Sequence, residues 1–328
     1  MKVLFYGAQI AKMFCGDLFR LLDENKTAYD MVEPGSLEEL TAATKDHQAI
    51  VTFFPLDEAK INALADSVRG IVVTSIGYDN IDVEAANKRG IMVCNIPDYC
   101  VEEVALHSVT LLLASLRNLC LYDRTIRAGK WNSRSMVCGR PRHRLSTMTM
   151  GFIGFGRIGQ RVARQMSGLD VKMIAYDPYL PESVFAEKGM ERVNTLEELY
   201  ARADMIGIYM ILTDETYHMI NRESIAKMKD GVILVNTARG AMFDLDAVTE
   251  GLASGKIGAA GIDVWDPEPV PADHPILKDD NVTVTSHCAY FSIEANVDLR
   301  TKSLMTAVHI CKGEIPYNCI NKKELGLV

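Results

Sequence analysis

Gly154-Phe155-Gly156-Arg157-Ile158-Gly159 decides the fold of this chain, because it joins an apolar segment, 148–153, to a helix-compatible one. In a strand–turn–helix unit of this kind, the first glycine permits the tight turn and the second lets the backbone approach a pyrophosphate. The third lets the helix pack closely on the strand. The pyrophosphate meets the positive end of the helix, whose first residues here are Arg157 and Ile158. The motif therefore predicts a dinucleotide-binding Rossmann unit.

Asp177 strengthens this interpretation. It lies 18 positions after Gly159, at the end of the next predicted strand, 171–176. A carboxylate at that place accepts hydrogen bonds from the ribose hydroxyls, and its charge repels a 2′-phosphate. The spacing predicts NAD rather than NADP as the cofactor. The alternative is a glycine turn followed by an unrelated surface aspartate.

Strand-like and helix-like segments alternate on both sides of the motif. The predicted strands are 3–6, 49–54, 71–74 and 91–94 in the first part of the chain, and 148–153, 171–176, 205–209, 231–236, 258–263 and 282–285 in the second. Alternation of this kind is typical of parallel sheets with helices on both faces. The segments 99–119 and 292–312 are predicted to be long helices.

This organisation predicts an α/β fold with two doubly wound parallel-sheet domains and a cleft between them. The first is a flavodoxin-like substrate domain, residues 1–98 plus 292–328. The second is an inserted Rossmann NAD-binding domain, residues 99–291. The tail after residue 315 is expected to return to the first domain.

The composition excludes several classes of protein. The chain has 328 residues, of which 24% are charged and 48% hydrophobic, as in an ordinary globular protein with room for two cores. Its net charge of -8, from 35 basic and 43 acidic side chains, excludes nucleic acid as a direct partner. No segment resembles a signal peptide or a membrane span, so we expect a cytoplasmic location and no membrane partner. Eight cysteines without a C-x-x-C pair indicate reduced thiols and no metal site.

Three polar segments, 236–240, 263–269 and 285–289, begin at the carboxyl ends of predicted strands, where parallel sheets bind ligands. The guanidinium of Arg239 matches the carboxylate and carbonyl oxygens of a 2-oxo acid. His287 can supply a proton to the developing alkoxide, and Glu268 can orient the imidazole and stabilise its charged form. Each residue alone is ordinary in a loop or at a strand end. Together, after a dinucleotide motif, they predict a catalytic triad.

The ordered motifs G-x-G-x-x-G with an aspartate, N-T-A-R-G, D-V-x-x-x-E-P and H-C-A resemble those of the D-isomer-specific 2-hydroxyacid dehydrogenases, over nearly the whole chain. Several stretches, such as Tyr290-Phe-Ser-Ile-Glu-Ala-Asn, are most similar to the branch of C-terminal-binding proteins and their bacterial dehydrogenase relatives. The resemblance implies an NAD-dependent enzyme that interconverts a small 2-oxo acid and a D-2-hydroxy acid. It also implies a homodimer built through the Rossmann domains, with the stretches near Trp131 and 140–144 contributing.

The resemblance also assigns further site residues by position. The stretch 75–82 resembles the family's loop whose backbone amides hold the substrate carboxylate, and Asp263 is expected to hold the nicotinamide carboxamide. The expected substrate-binding residues are Ser75, Ile76, Gly77, Arg239 and Tyr290. The expected cofactor-binding residues are Gly154, Gly156, Arg157, Ile158, Gly159, Asp177, Thr216, Thr237, Ala238, Arg239, Asp263 and His287.

The chain departs from the family pattern at a few positions. Ser286 stands where members usually have proline, and Tyr209-Met-Ile-Leu-Thr213 replaces a histidine- and proline-containing strand end. Leu106 replaces an acidic or polar residue. None of these removes a group that the proposed chemistry needs.

Two alternatives stay open at this point. One is an NAD-sensing regulatory protein like the C-terminal-binding proteins, which keep the same triad; the end of the chain at Val328, soon after the last predicted helix, favours an enzyme. The other is a glyoxylate, hydroxypyruvate or phosphoglycerate type of the same family, although no basic cluster near 75–78 would bind a substrate phosphate. The aromatic residues Tyr78, Tyr99, Tyr290 and Phe291 indicate either an apolar substrate side chain or packing between the domains.

Overall fold

The structure, a computed structural model, describes residues 1–7, 19–131 and 143–327. The chain divides into two compact units, one made of Met1–Cys100 and Ser292–Val328 and the other of Val101–Phe291. Each unit is built around one parallel sheet.

In chain order the strands are β1 (Lys2–Tyr6), β2 (Ala28–Val32), β3 (Ala49–Thr52), β4 (Gly70–Val73), β5 (Met92–Cys94), β6 (Thr149–Ile153), β7 (Lys172–Tyr176), β8 (Glu191–Arg192), β9 (Met205–Ile208), β10 (Val232–Asn236), β11 (Ile257–Ile262) and β12 (Val282–Val284). The α-helices of the described residues are α1 (Arg20–Glu24), α2 (Leu37–Thr44), α3 (Glu58–Ala63), α4 (Val83–Lys88), α5 (Val101–Arg117), α6 (Leu119–Arg127), α7 (Arg157–Met166), α8 (Glu182–Glu187), α9 (Leu196–Arg202), α10 (Arg222–Lys227), α11 (Leu245–Ser254) and α12 (Ile293–Cys311). Short 3-10 helices lie at Leu145–Thr147, Ser167–Leu169, Gly240–Met242 and Pro275–Lys278.

The sheet of the first unit has five strands in the order β2-β1-β3-β4-β5, and all neighbouring strands are parallel. This is the strand order of flavodoxin-like folds. Every residue of β3 and β4 is buried, as expected of strands covered on both faces. The predicted flavodoxin-like architecture is confirmed.

Strand β2 was not predicted because this edge strand contains no continuous apolar run. Its middle residue is Asp30, and all five of its residues are at least partly exposed. It nevertheless pairs with β1 over its whole length, from Lys2 opposite Ala28 to Tyr6 opposite Val32. An edge strand needs fewer apolar side chains than a central one, so hydropathy alone does not reveal it.

The sheet of the second unit has seven parallel strands in the order β12-β11-β10-β9-β6-β7-β8. Counted along the chain from β6, strands β6 to β11 follow the Rossmann order 3-2-1-4-5-6, and β12 extends the sheet by one strand. The six predicted strands are all present, which confirms the Rossmann architecture. The one strand of this sheet that was not predicted is β8, whose two residues are too few to give a sequence pattern.

The predicted single long helix over 99–119 is wrong in one respect. Helix α5 ends at Arg117, and a second helix, α6, follows it. Asn118 between them is in the left-handed conformation, with φ 50°, which asparagine tolerates better than most residues and which interrupts the helical hydrogen bonding.

Among the described residues no single helix is long and apolar enough to cross a membrane. Helices α5 and α6 together, bent by 63°, are long and apolar enough to do so by length and composition alone.

Candidate active site

The glycine turn after β6 is shaped by steric contacts that only glycine tolerates. Gly154 has φ +93°, and a Cβ atom there would lie 2.8 Å from the carbonyl carbon of Tyr209. A Cβ atom on Gly159 would lie 2.6 Å from the carbonyl oxygen of Gly154. These approaches place the first turn of α7 directly against the end of β6.

Gly156 occupies the residue before α7 and leaves open space in front of the helix. A Cβ atom there would meet nothing within 4 Å, and no side chain of the described residues caps α7. The first amides of a helix have no acceptor within the helix, so those of Arg157 and Ile158 are available to an anion.

Asp177 follows β7 and is almost fully buried. Its Oδ2 accepts a hydrogen bond from the amide of Phe155 at 2.9 Å, and its Oδ1 accepts from the amide of Tyr179 at 3.0 Å. The carboxylate is therefore attached to the glycine turn, and Oδ2 keeps a second lone pair for a ribose hydroxyl.

The turn that carries Arg239 is held by Asn236 at the end of β10. The buried Asn236 side chain donates from Nδ2 to the carbonyl oxygen of Arg239 at 2.8 Å and accepts at Oδ1 from the amide of Ala238 at 3.0 Å. A Cβ atom on Gly240 would lie 2.0 Å from the carbonyl carbon of Trp265. This glycine therefore brings the Arg239 turn against the segment that leads to Glu268.

His287 and Glu268 form a hydrogen-bonded pair, with 2.8 Å between Nδ1 and Oε2. Because a carboxylate only accepts, Nδ1 donates, and Nε2 is the nitrogen left to face a substrate. The second carboxylate oxygen, Oε1, accepts from the amide of Trp265 at 2.8 Å. The imidazole is therefore oriented by a carboxylate that is itself held at a second point.

Burial acts to raise the pKa of the Glu268 carboxyl, but the hydrogen bonds from His287 and the Trp265 amide, with the charges of His287 and Arg239, lower it overall. The charge on Arg239 thus reaches Glu268. The arrangement brings together one guanidinium, one carboxylate and one imidazole in the second unit, which is the predicted triad.

Asp263, at the end of β11, organises the loop that carries His287. Its carboxylate is completely buried and accepts from the Thr285 hydroxyl at 2.6 Å and from the amides of Cys288 and Ala289, each at 3.0 Å. Its carbonyl oxygen accepts from the amide of His287 at 2.6 Å. His287 itself has φ +53°, a conformation that these bonds maintain.

Other predicted site residues have different surroundings. The hydroxyl of Thr216 accepts from the amide of Thr213 at 2.7 Å and donates to the carbonyl of Ile211 at 2.8 Å, so it orders its own loop. The ring of Tyr290 lies edge-on to that of His287, with 6.4 Å between centroids.

In the first unit, the predicted carboxylate-binding loop follows β4. The Asn95 side chain donates to the carbonyl of Ile76 at 2.6 Å, and the amide of Ile96 donates to the carbonyl of Ser75 at 2.9 Å. The Ser75 hydroxyl donates to the carbonyl of Gly77. The amides of Ile76 and Gly77 have no acceptor among the residues that the structure describes. The loop therefore presents two fixed donors.

Sequence reasoning missed the roles of His107, Asn236 and Trp265. Asn236 and Trp265 lie inside the quoted motifs, so their proximity to Arg239 and Glu268 was visible, but the hydrogen bonds were not. His107 lies on α5, far from the other site residues in sequence, and only the fold brings it to Thr285.

His107, Asp263 and Cys288 place potential metal-ligand atoms within 4.8 Å of one another. Hydrogen bonds between Thr285 and both His107 and Asp263, and from Cys288 to Asp263, account for this proximity. The absence of a metal stays a prediction.

The residues of the second unit fit a dinucleotide. Thr237 is nearly buried, and its Oγ1 has no hydrogen-bond partner among the described residues, so a polar ligand group would satisfy it. Gly156 leaves room for a pyrophosphate, and Asp177 retains an acceptor for a ribose hydroxyl.

Comparison with known proteins agrees with this site. Residues 109–289 match the family described as D-isomer specific 2-hydroxyacid dehydrogenase, NAD binding domain. The chain therefore belongs to the D-isomer-specific 2-hydroxyacid dehydrogenases. The predicted family, enzyme class and cofactor, NAD, are confirmed.

Three relatives illustrate the similarity. The glyoxylate reductase of Korarchaeum cryptofilum is 37% identical over 296 residues, which cover 88% of this chain and 87% of that protein. The hydroxypyruvate reductase of Thermotoga maritima is 41% identical over 240 residues, covering 72% and 76% of the two chains. The crystal structure of D-lactate dehydrogenase from Aquifex aeolicus, complexed with NAD and lactic acid, has a TM-score of 0.80 at 29% identity and covers 95% of this chain and 96% of its own.

Proposed function

We propose that this protein uses NADH to reduce a small 2-oxo acid to the D-2-hydroxy acid, with Arg239, Glu268 and His287 as its catalytic residues. The observation that carries the proposal is the 2.8 Å hydrogen bond from His287 Nδ1 to Glu268, which leaves Nε2 for the substrate. Relatives named glyoxylate reductase and hydroxypyruvate reductase support a small substrate. They do not favour the NAD-sensing alternative.

Arg239 binds the substrate in this proposal. Its planar guanidinium can donate two parallel hydrogen bonds to the carboxylate and carbonyl oxygens of a 2-oxo acid, which fixes the carbonyl plane and polarises the bond to be reduced. The main chain on both sides of Arg239 is held through Asn236. The guanidinium itself donates from Nη1 to the carbonyl oxygen of Ala238 at 2.8 Å, which defines its starting position.

His287 supplies the proton. NADH, held by the glycine turn and Asp177, would supply the hydride that reduces the carbonyl carbon and would leave as NAD⁺. His287 Nε2–H gives its proton to the carbonyl oxygen, so that the C=O group becomes CH–OH. Glu268 stabilises the imidazolium before the transfer and holds the ring in place after it. In the oxidative direction, Nε2 accepts the hydroxyl proton.

In the first unit, we propose that the amides of Ile76 and Gly77 bind the substrate carboxylate. Two adjacent backbone donors without partners are suited to a carboxylate. Ser75 shapes this loop through its bond to the carbonyl of Gly77. Tyr290, whose edge faces His287, is proposed to contact the substrate side chain.

We also propose a homodimer in the cytoplasm, without a nucleic-acid or membrane partner. Four apolar side chains on and after α6 are exposed, as expected of a surface that is covered in an oligomer: Leu119, Tyr122, Ile126 and Trp131. Of the predicted dimer residues, 140–142 lie outside the described residues. Light scattering on the wild type should give twice the monomer mass, and Ile126→Lys should shift the equilibrium towards monomer; a monomeric wild type contradicts the proposal.

The proposed cytoplasmic location is supported by the cysteines. The six described cysteines are free thiols, which agrees with a reducing compartment.

The function is tested by following NADH oxidation with a panel of 2-oxo acids from glyoxylate to phenylpyruvate, with NADPH in parallel. We expect turnover with the smaller acids and a preference for NADH. Tight NADH binding without turnover on any acid would contradict the enzyme and support the sensing protein.

A further inference from the structure

His107 lies outside the triad, yet it contacts the loop that carries His287. It belongs to α5 and is partly buried, with its Nε2 3.0 Å from the Thr285 hydroxyl and 3.6 Å from Asp263 Oδ1. Both of those residues lie at the carboxyl ends of strands in the second unit. No part of the catalytic mechanism proposed above uses His107.

The hydrogen bonds assign the proton on the His107 ring. The Thr285 hydroxyl has a single proton and lies 2.6 Å from Asp263 Oδ1. The Asp263 carboxylate already accepts from two backbone amides, so it acts as an acceptor, and Thr285 donates to it. The hydroxyl must then accept from His107, which places a proton on Nε2.

This chain of donors ends at the backbone of the catalytic loop. Asp263 accepts from the amides of Cys288 and Ala289, and its carbonyl oxygen accepts from the amide of His287. The left-handed conformation of His287 is costly for a residue other than glycine, so it depends on this network. A hydrogen bond of 2.9 Å from Trp265 Nε1 to the carbonyl oxygen of Thr285 holds the same strand end.

We propose that His107 is a positioning residue. Through the hydrogen bonds from its Nε2–H to Thr285 and from Thr285 to Asp263, it fixes the loop that carries His287. The same bonds fix the Asp263 carboxylate, which is expected to hold the nicotinamide carboxamide. This inference rests on the proposed function. It requires hydrogen-bond donation by His107 and not its positive charge. A glutamine, whose amide nitrogen lies near the position of Nε2, should therefore replace it, whereas an apolar side chain should not.

The test compares three single variants. His107→Leu removes the donor at similar volume, His107→Gln keeps it, and Thr285→Val breaks the next link. His309→Leu, on α12, is the matched control and should behave as the wild type. We expect His107→Leu and Thr285→Val each to lower kcat by about 10- to 100-fold with a smaller change in the KM of the 2-oxo acid, because the proton donor is misplaced. His107→Gln should stay within about threefold of the wild type.

The kcat of the double variant His107→Leu/Thr285→Val should be no lower than that of the less active single variant, because both changes break the same chain of hydrogen bonds. Additive losses would overturn the proposal. So would wild-type turnover in His107→Leu, or an equal loss in His107→Gln and His107→Leu. Melting temperatures separate these results from a failure to fold.

Two measurements decide the inference even if no 2-oxo acid is turned over. Nuclear magnetic resonance of protein labelled with ¹⁵N-histidine should show the His107 proton on Nε2. Amide hydrogen exchange at Cys288 and Ala289 should be at least about tenfold faster in His107→Leu than in His309→Leu. A proton on Nδ1 alone, or unchanged exchange, would overturn the proposal while leaving the proposed function intact.

Discussion

The glycine turn with Asp177 and the loops that carry Arg239, Glu268 and His287 are both at strand ends of the second unit, but they are built differently. The turn is determined by backbone contacts: a side chain at Gly154 or Gly159 would overlap the main chain. The loops that carry Arg239, Glu268 and His287 are determined by hydrogen bonds in which the Asn236 side chain donates and the Asp263 and Glu268 carboxylates accept, each joining different parts of the unit. Local backbone geometry thus determines the proposed binding site, whereas the proposed reactive site requires several segments to hold one another.

The two regions also differ in their electrostatics. The turn is proposed to bind through neutral amides, a helix dipole and one carboxylate. The catalytic loops hold an ionised Glu268 whose pKa is lowered by its donors and by nearby positive charge. A change in the glycine turn should therefore affect cofactor binding. A change in the loops that carry Arg239, Glu268 and His287 should affect turnover and its pH dependence.

The largest effect is expected from His287→Ala. Loss of the proton donor should lower kcat by about 10²- to 10⁴-fold, because the proton is needed only in the chemical step. The dissociation constant of NADH, measured by fluorescence titration, should change little. A variant that turns over like the wild type would remove His287 from the mechanism, and one that loses NADH binding equally would erase the distinction between the two regions.

The sequence allowed the turn to be predicted in more detail than the catalytic loops. Glycine at 154, 156 and 159, with an aspartate at a fixed distance, reports a backbone requirement directly. Arg239, Glu268 and His287 could be predicted as candidate site residues because each follows an apolar strand. The link from His107 through Thr285 to Asp263 was not, because it joins a helix to two strand ends far away in the chain, and nothing local marks it. The edge strand β2 and the two-residue β8 were missed because short or exposed strands need no continuous apolar run.

A smaller effect is expected from Glu268→Gln. Glutamine preserves shape and can still accept from the Trp265 amide, but its NH2 group then faces His287 Nδ1 and cannot accept from it. The variant therefore removes both the charge beside the imidazolium and the hydrogen bond that orients it, so kcat should fall by about 10- to 100-fold. Steady-state kinetics checks this expectation. Wild-type turnover in the variant would show that Glu268 acts only through its shape.

The same variant has a consequence for stability. Since folding lowers the pKa of Glu268, its ionised form stabilises the fold above the ordinary carboxyl range, and this contribution is lost as pH falls through the lowered value. The difference in Tm between wild type and Glu268→Gln should therefore be largest near neutral pH and narrow towards acid. A difference that is constant with pH would contradict the assigned direction of the shift.

The smallest effect is expected from changes at Asp177, because the turn keeps most of its backbone donors without it. Asp177→Ala should reduce the preference for NADH over NADPH by about tenfold, from the loss of one hydrogen bond to a charged group and of the repulsion towards a 2′-phosphate. It also removes the acceptor for the Phe155 and Tyr179 amides, so Asp177→Asn is the matched control. Asparagine keeps an acceptor for an amide while losing the charge. If charge sets the preference, both variants shift the ratio of kcat/KM for the two cofactors. If neither variant changes the ratio, cofactor choice does not depend on Asp177, and the turn region would then determine where a dinucleotide binds without determining which one.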